Sequence, residues 1–429
     1  MQTQPAEPIN IKLISIVSLG SALEVYDFMI YALMTPYISK LFFPTHELNE
    51  SLMLTFATFA IGYVSRPLGG ILFGHQGDRK GRKKPFTFTI LLMALSTLLI
   101  GFLPTYQQIG YLAPALLMAL RLIQGISMGG ETGGALTYIS EHFPDKIGIA
   151  NASVISGMCS GLLLGYCVHS LLMIFLGYDG LMADGWRIAF WLGALLGIIG
   201  YVIRRRFQET LLFQKMLASQ RISSVPLLSV LRHHKRQVIC GALAIITHST
   251  TIILLQVFLP SWLQLHHEET ATSLHSTVLA AFIVLAVLVF GLLYDRSHPK
   301  TMLKAAAACH LFAGLPWYWL VINQPSLNAL TLPIFSLLVG LMAATQIPIV
   351  SELFPTRVRY TGIALSYNLG FIAGGVTPLL STWLIDISGK TWMPGILLTL
   401  GGLASIAVLT LYSQSSTQGQ ASTNMTATE

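Results

Sequence analysis

The sequence predicts an all-α integral membrane protein with twelve transmembrane helices in two parallel six-helix repeats. Composition is the first reason. Of the 429 residues, 53% are hydrophobic and 10% are charged, and the mean hydropathy is +0.66, whereas soluble domains carry about 25% charged residues. The second reason is that two short motifs each recur about half a chain later. A motif repeated at half the chain length indicates a duplicated bundle whose halves share one orientation in the bilayer.

The repeated motifs are a Gly-rich loop with one carboxylate and a Ser-Glu…Phe-Pro stretch. The loop runs from Gly74 to Arg82 as GHQGDRKGR, and a weaker copy, GLLYDR, starts at Gly291. The second motif is SEHFP from Ser140 and SELFP from Ser351. Each copy falls at the corresponding place of its half, as expected for a parallel repeat.

A membrane-spanning helix needs about 20 consecutive apolar residues. Twelve segments meet this requirement: 11–33, 52–73, 86–103, 110–133, 150–176, 187–203, 238–262, 275–294, 302–321, 329–348, 360–384 and 393–412. They divide the chain into an N-terminal bundle (1–203), a cytoplasmic linker (204–237), a C-terminal bundle (238–412) and a cytoplasmic tail (413–429). The linker is expected to hold an amphipathic helix on the membrane surface, and the polar tail is expected to be disordered.

Basic residues alternate between the loops. Nearly all loop Lys and Arg residues fall on one side, and Lys40, Arg187 and Lys390 fall on the other. Because cytoplasmic loops carry the excess of Lys and Arg, this pattern predicts that both termini are cytoplasmic. It also explains the net charge of +7 without a nucleic-acid partner. The polar N-terminus followed by a long apolar run predicts no cleavable signal peptide.

Five charged residues lie at bilayer depth in the first half: Glu24 and Asp27 in span one, Arg66 in span two, and Arg121 and Glu131 in span four. Charge in a membrane is costly and indicates function. We predict proton coupling by Glu24, Asp27, Arg121 and Glu131, with a span-one carboxylate paired with Arg121. The alternative is a structural salt bridge between spans one and four.

Polar and aromatic residues at similar depth are the candidates for substrate binding. They are Tyr26, Arg121, Gln124, His248, Gln256, Trp317 and Asn368. Arg66 and Arg121 are the only buried cations expected, which favours a carboxylate substrate. Aromatic rings such as Trp317 leave a betaine-like cation open, as well as a larger citrate-type metal chelate. For His248 the alternative is a structural hydrogen bond to a backbone carbonyl.

The Gly-rich loops predict a cytoplasmic gate. Asp78 is expected to accept hydrogen bonds from the free N–H groups at the start of span eleven, and Asp295 from those of span five. The candidate gate residues are Gly74, Asp78, Arg79, Arg82, Asp295, Arg357 and Arg359. Such contacts would hold the cytoplasmic side closed. The alternative is a basic loop that only sets topology.

Two common motifs of enzymes are missing from the sequence. There is no Walker loop and no CxxC motif, so we predict no enzyme and no cofactor apart from the coupling proton. The run HHEE from His266 is a weak metal pattern in a short loop, and no metal site is predicted.

Several stretches together resemble a known family. GHQGDRKGRK from Gly74 and RLIQGISMG from Arg121 resemble signature motifs of the major facilitator superfamily. EVYDF from Glu24, the stretch from Leu103 to Glu131, and ELFPTRVRYTG from Glu352 resemble its metabolite:proton symporter branch, which includes shikimate, citrate, 2-oxoglutarate and proline/betaine carriers. The resemblance implies alternating access, proton-coupled uptake across a bacterial inner membrane, and coupling roles for Glu24, Asp27 and Arg121.

Two departures from the family pattern concern substrate and regulation. Val25 stands where the family usually has an aromatic residue, and the tail lacks the coiled coil of osmosensing members.

Three functions are compatible with such a sequence: a proton-coupled importer, a proton-antiporting exporter and a non-transporting receptor or scaffold. Span five has no proline, unlike the Gly-Pro pair that marks antiporters, which favours an importer over a proton-antiporting exporter. The retained buried charges argue against a non-transporting scaffold. The partners expected are a small-molecule substrate, protons and the lipid bilayer, and the protein is expected to act as a monomer.

Overall fold

The computed structural model describes residues 11–45, 48–205, 209, 211–218, 225–266 and 270–426. Within these residues, twelve helices are long enough to cross a bilayer. The first six are α1 (Ile11–Leu33), α2 (Leu48–Val64 and Arg66–Lys80, interrupted at Ser65), α3 (Lys83–Gly101), α4 (Leu112–His142), α5 (Ile147–Gly180) and α6 (Trp186–Arg204). The other six are α7 (Lys235–Ile253, continued by Leu254–Phe258 and Leu259–His266), α8 (Thr270–Tyr294), α9 (Pro299–Asn323), α10 (Asn328–Glu352), α11 (Arg359–Ser388) and α12 (Ile396–Thr426).

Helices α5 and α6 form one helical stretch. Eleven stretches of the described chain are long and apolar enough to cross a membrane, and the longest of them, Pro144–Arg204, has 61 residues and contains both helices. They separate at Gly177, whose φ of +67° is a conformation that glycine adopts at little cost. A π-helical turn over Leu181–Gly185 follows and leads into α6. The twelve predicted spans therefore each correspond to a helix.

The packing repeats between the halves. In the first half α1 packs on α5, α2 on α4, and α3 on α6; in the second, α7 packs on α11, α8 on α10, and α9 on α12. The halves meet where α5 packs on α8 and where α2 packs on α11. In the repeat, α2 corresponds to α8 and α5 corresponds to α11, so these two contacts are equivalent. The arrangement is therefore that of two parallel six-helix bundles facing each other.

Small residues bring α2 and α4 into close contact. A Cβ on Gly129 would overlap the Arg66 carbonyl oxygen, and one on Gly69 would overlap the Ile126 carbonyl oxygen. Close backbone approach through small residues is how membrane helices associate in lipid. This contact fixes the position of Arg66.

Two segments outside the bundles differ from expectation. The linker forms helices Leu211–Ala218 and Pro226–His233. Phe213 is buried, so the first of these packs on protein instead of lying only on the membrane surface. Helix α12 continues to Thr426, where a disordered tail was expected from residue 413. Extending an existing helix adds one hydrogen bond per residue without a new nucleus, so polar residues can follow the span as helix.

Candidate functional site

At the end of the bundle that carries the Gly-rich loops, Asp78 joins the two halves. Its carboxylate accepts a hydrogen bond from the Thr361 backbone N–H (2.9 Å) and another from the Thr361 hydroxyl (2.6 Å). Thr361 lies in the first turn of α11, where the helix dipole favours negative charge. The contact expected from the sequence is therefore present. Gly74 allows it, since a Cβ there would lie 3.1 Å from the Thr361 Cα.

Arg82 organises this end of the bundle. Its guanidinium lies 3.0 Å from the Asp78 carboxylate and 3.3 Å from that of Glu141. It also donates to the carbonyl oxygens of Gly77 (2.6 Å) and Thr356 (3.1 Å). Because Thr356 belongs to the second half, Arg82 bridges the halves beside Asp78. A guanidinium that satisfies two carboxylates and two carbonyls is well compensated for its burial.

The remaining predicted gate arginines contribute less. Arg79 and Arg357 are exposed, and neither forms a hydrogen bond or ion pair with the described residues. Arg359 is half-buried and donates to the Phe354 carbonyl oxygen at 3.1 Å, within its own half. The contacts between the halves at this end therefore rest on Asp78 and Arg82.

Asp295 makes the equivalent contact in the second half. Its two carboxylate oxygens accept hydrogen bonds from the backbone N–H groups of Gly148 (2.7 Å) and Ile149 (2.9 Å), at the start of α5. This matches the expectation from the repeat. Unlike Asp78, Asp295 is exposed and has no arginine partner within the described residues, so water competes for its charge.

The linker reaches the same region. Glu209 accepts hydrogen bonds from the backbone N–H groups of Arg82 (3.0 Å) and Lys83 (3.2 Å), which begin α3. The Phe213 ring lies 4.9 Å from the Arg82 guanidinium carbon. A carboxylate at a helix N-terminus is stabilising, so the linker holds the loop in which Arg82 lies.

A cavity of about 60 Å³ lies between the halves, near the middle of the bundle. Its lining comes from α1, α2, α4, α5, α7 and α11, and most of it is apolar or aromatic. Arg66, His248 and Gln256 contribute its main polar groups. A largely apolar cavity with a few polar groups is the usual form of a small-molecule site.

Arg66 is the cation of this cavity, and aromatic rings surround it. Its guanidinium carbon lies 4.7 Å from the Phe371 ring centroid, 5.2 Å from that of Tyr63 and 5.7 Å from that of Tyr367. Its Nε donates to the Asn368 Oδ1 across the interface between halves, at 3.1 Å. Cation–π contacts and this bond fix a charged group that can face a substrate carboxylate.

The predicted binding residue Arg121 does not line this cavity. Its Nη1 donates to the Phe28 carbonyl oxygen (3.1 Å) and to Gln124 Oε1 (2.8 Å), and its guanidinium carbon lies 4.3 Å from the Phe28 ring. Gln124 in turn donates to Thr97 at 2.8 Å. Arg121 is therefore held inside the first half, and the Phe28 ring separates it from the cavity.

Three other predicted binding residues also lie away from the cavity lining. The Tyr26 hydroxyl donates to the Ala189 carbonyl oxygen at 2.9 Å. Trp317 stacks on Phe335 with ring centroids 3.5 Å apart, between α9 and α10. Asn368 donates to the Gly129 carbonyl oxygen at 2.6 Å and supports Arg66 from behind. The structure thus brings together only His248 and Gln256 of the predicted set.

The two carboxylates of α1 do not pair with Arg121. Glu24 and Asp27 are buried, and their oxygens have no hydrogen-bond partner among the described residues. Asp27 faces α6, where a Cβ on Gly197 would lie 3.0 Å from its Oδ2. The expected ion pair is wrong for this conformation because Asp27 points to α6 while Arg121 is committed to Phe28 and Gln124.

Glu131 has a cation that the sequence did not suggest. It forms a buried ion pair with Arg204, the last residue of α6, and accepts a hydrogen bond from Thr89 at 3.1 Å. Arg204 also packs against Gly20 of α1 and donates to the Phe86 carbonyl oxygen at 3.3 Å. Both partners of the pair are fully buried.

The sequence did not predict that Arg82 and Arg204 are buried cations. It also did not place Arg66 among the substrate-binding residues. Arg82 and Arg204 stand in basic runs that the positive-inside pattern explained. A usable signal was available for Arg204, because it directly follows an apolar helix, and a buried carboxylate, Glu131, lies toward the same end of the helix two spans earlier. The HHEE pattern at 266–269 lies mostly outside the described residues.

Comparison with known proteins agrees with this architecture. A family model described as Major Facilitator Superfamily matches residues 17–378. A putative proline/betaine transporter of Staphylococcus aureus is 34% identical over 404 residues, covering 91% of this chain and 86% of the relative. A glycine betaine/proline/ectoine/pipecolic acid transporter of Dickeya dadantii is 33% identical over 422 residues, covering 93% and 82%.

Solved structures show the same fold. The proton:xylose symporter bound to 6-bromo-6-deoxy-D-glucose superposes with a TM-score of 0.75 at 15% identity, covering 94% of this chain and 95% of that one. A partially occluded inward-open xylose transporter from E. coli gives a TM-score of 0.70 at 16% identity. The resemblance seen in the sequence is confirmed, and the chain belongs to the major facilitator superfamily, as a multi-pass membrane transporter and not an enzyme.

Proposed function

We propose that this protein is a proton symporter that takes up a small organic acid or zwitterionic metabolite across a bacterial inner membrane by alternating access. It acts as a monomer with both termini cytoplasmic, and its only coupling factor is the proton. The observation that carries the proposal is the small central cavity in which Arg66 is surrounded by aromatic rings. The lack of a proline in span five supports the uptake direction.

Within that substrate range, the cavity favours a zwitterion. A substrate carboxylate would bind the Arg66 guanidinium, and an alkylated ammonium would lie against the Phe28, Tyr63 or Phe371 ring. The cavity volume of about 60 Å³ favours a small substrate over a citrate-type chelate. The relatives named as proline and betaine transporters support the same class.

Arg66 would also link binding to the movement of the halves. It lines the cavity and donates to Asn368 of α11, so a substrate carboxylate would compete for the same guanidinium. A ligand moves a conformational equilibrium only through differential contacts with the two states. A substrate that weakens the Arg66–Asn368 bond would make such a difference, because losing this bond loosens the interface between α2 and α11.

Proton coupling would use the α1 carboxylates. Glu24 and Asp27 are buried and lack a counter-charge among the residues described. Proton binding removes a charge that the surroundings leave unpaired. In the opposite conformation water or a cation would reach the same carboxylates, which completes the two states that coupling needs.

The test is uptake by right-side-out membrane vesicles with the outside made acid. Radiolabelled glycine betaine, proline and citrate are the probes, with vesicles lacking the protein as the control. We expect accumulation of glycine betaine or proline, and its collapse when a protonophore is added. The membrane potential alone contributes about 2.3 kcal/mol per charge per 100 mV. Accumulation of citrate alone would contradict the zwitterion assignment, and expulsion of preloaded substrate would contradict symport.

A further inference from the structure

A second cavity of about 340 Å³, including the surface opening around it, lies between α3 and α6 at the end that carries the Gly-rich loops. Three basic side chains line it: Lys83 and Lys84 at the start of α3, and Arg205 directly after α6. Thr87 and Tyr201 form its polar floor. This cavity is separate from the central one and faces outward from the bundle.

The three cations have no ion-pair partner among the residues that the structure describes. Neither lysine nor Arg205 forms an ion pair within 4 Å in the described part of the chain. The nearby carboxylate of Glu209 instead accepts hydrogen bonds from the backbone N–H groups of Arg82 and Lys83. Arg205 is oriented by the Tyr201 ring, which lies 5.8 Å from its guanidinium carbon. The cavity therefore concentrates positive charge that a ligand can neutralise.

The position of the cavity distinguishes a lipid from a soluble anion. On α3, the cavity continues from the lysines to Phe88 and Leu91, whose exposed fractions are 54% and 39%. Exposed apolar side chains on a membrane helix face lipid chains. The cations thus lie where this lipid-facing surface ends, which is the depth of the headgroups.

We propose that this cavity binds the headgroup of an anionic phospholipid from the same leaflet. The phosphate would be held by Lys83, Lys84 and Arg205, and the acyl chains would lie along Phe88 and Leu91. Basic pockets between membrane helices on the cytoplasmic side are suited to anionic headgroups. The bound lipid would connect α3 to α6 next to the loop held by Glu209.

The test is native mass spectrometry of the full-length protein in detergent with dioleoyl phosphatidylglycerol. The site variant is Lys83→Gln/Lys84→Gln/Arg205→Gln. The control variant, Arg296→Gln/Lys300→Gln/Lys304→Gln, removes the same charge from the equivalent loop of the second half. We expect the site variant to lose affinity on the order of a hundredfold, at about fivefold per basic group, and the control to bind like the wild type. Equal loss in both variants overturns the proposal, because it indicates attraction by net charge alone.

Three further measurements separate the possible ligands and guard against misfolding. Dioleoyl phosphatidylcholine should be retained far less than the anionic lipid, and inorganic phosphate at equal concentration should not displace the latter. Equal retention of phosphatidylcholine, or displacement by phosphate, overturns the assignment. The charge-preserving variant Lys83→Arg/Lys84→Arg should keep both the melting temperature and lipid binding. Loss of binding in this folded variant also contradicts the proposal.

Discussion

The carboxylate of Asp78 and the backbone N–H of Thr361 are 2.9 Å apart, although the two residues are 283 positions apart in the sequence. Asp78 lies in the last turn of α2 and Thr361 lies in the first turn of α11. Arg82, 3.0 Å from the same carboxylate, neutralises it on the other side. At this end, the contact between the halves therefore includes one buried charge placed between a guanidinium and a helix N-terminus.

Asp78→Asn should keep the fold and remove most transport. The amide retains the size of the side chain but loses the charge-assisted bonds, which contribute about 1.5–3 kcal/mol. The ratio of closed to open molecules should fall roughly tenfold or more. Labelling of a single cysteine introduced on this side, with a membrane-impermeant thiol reagent in inside-out vesicles, should be faster than in the wild type.

The matched control for Asp78→Asn is Asp184→Asn. Asp184 is 79% exposed and forms a surface ion pair with Arg187 at 2.7 Å, a type of pair that contributes about 0–1 kcal/mol. It should leave transport and labelling near wild-type values. Wild-type transport by Asp78→Asn would show that this contact is not a gate.

Asp295→Asn should have a smaller effect than Asp78→Asn. The two carboxylates make similar bonds to helix N-termini, but Asp295 is exposed and Asp78 is fully buried. Water replaces part of a lost surface interaction. We expect partial loss of uptake, measured as the initial rate in the same vesicles. A loss as large as that of Asp78→Asn would mean that the two halves carry equivalent gates.

The spans and the Asp78 and Asp295 contacts were predictable from the sequence. Each follows from a local pattern, namely a run of apolar residues or a carboxylate in a repeated loop. The repeat then identifies the partner helix, because α5 and α11 occupy equivalent places. No side-chain direction had to be known, since the acceptor binds backbone groups that every helix start presents.

The cation that lines the cavity could not be predicted in the same way. The sequence gives the depth of Arg66 and Arg121 but not the rotation of their helices. A guanidinium also reaches several ångströms from its Cα, so two arginines at similar depth can serve different sites. Arg204 was missed for another reason. Arginine residues in cytoplasmic loops set topology, but arginine residues also form buried ion pairs. Only the contact with Glu131 shows that Arg204 belongs to the second group.

Arg66→Lys should weaken substrate binding more than Arg121→Lys. Lysine keeps the charge at 66 but loses the planar donor that bonds Asn368 and lies over the Phe371 ring. We expect the KM for uptake to rise roughly tenfold, the equivalent of about 1.4 kcal/mol, with a smaller change in kcat. Arg121→Lys should change the KM little, because Arg121 is bonded within the first half. The concentration dependence of substrate counterflow measures both. A larger KM increase for Arg121→Lys would reassign the binding cation.

Glu131→Gln should destabilise the protein through its partner. Removing one member of a buried ion pair leaves the other unpaired and costs about 3–5 kcal/mol. The melting temperature of the purified protein should therefore fall, and Arg204→Gln alone should do the same. The double variant Glu131→Gln/Arg204→Gln should recover much of the loss, since no buried charge remains. A double variant as unstable as the sum of the single ones would show that the pair is not coupled.

Asp27→Asn should uncouple transport from the pH gradient without removing transport. Asparagine cannot exchange a proton, and it fits the same space against Gly193 and Gly197 of α6. Exchange of labelled for unlabelled substrate across vesicles should continue, because that step needs only the alternation of the two conformations. Uphill uptake driven by acid outside should be lost, because the carrier can then return without having released a proton. Glu24→Gln, one turn away on α1, is the matched variant and shows which of the two carboxylates carries the proton. If both variants still accumulate substrate from a pH gradient, neither α1 carboxylate couples transport, and Glu131 with Arg204 becomes the next pair to test.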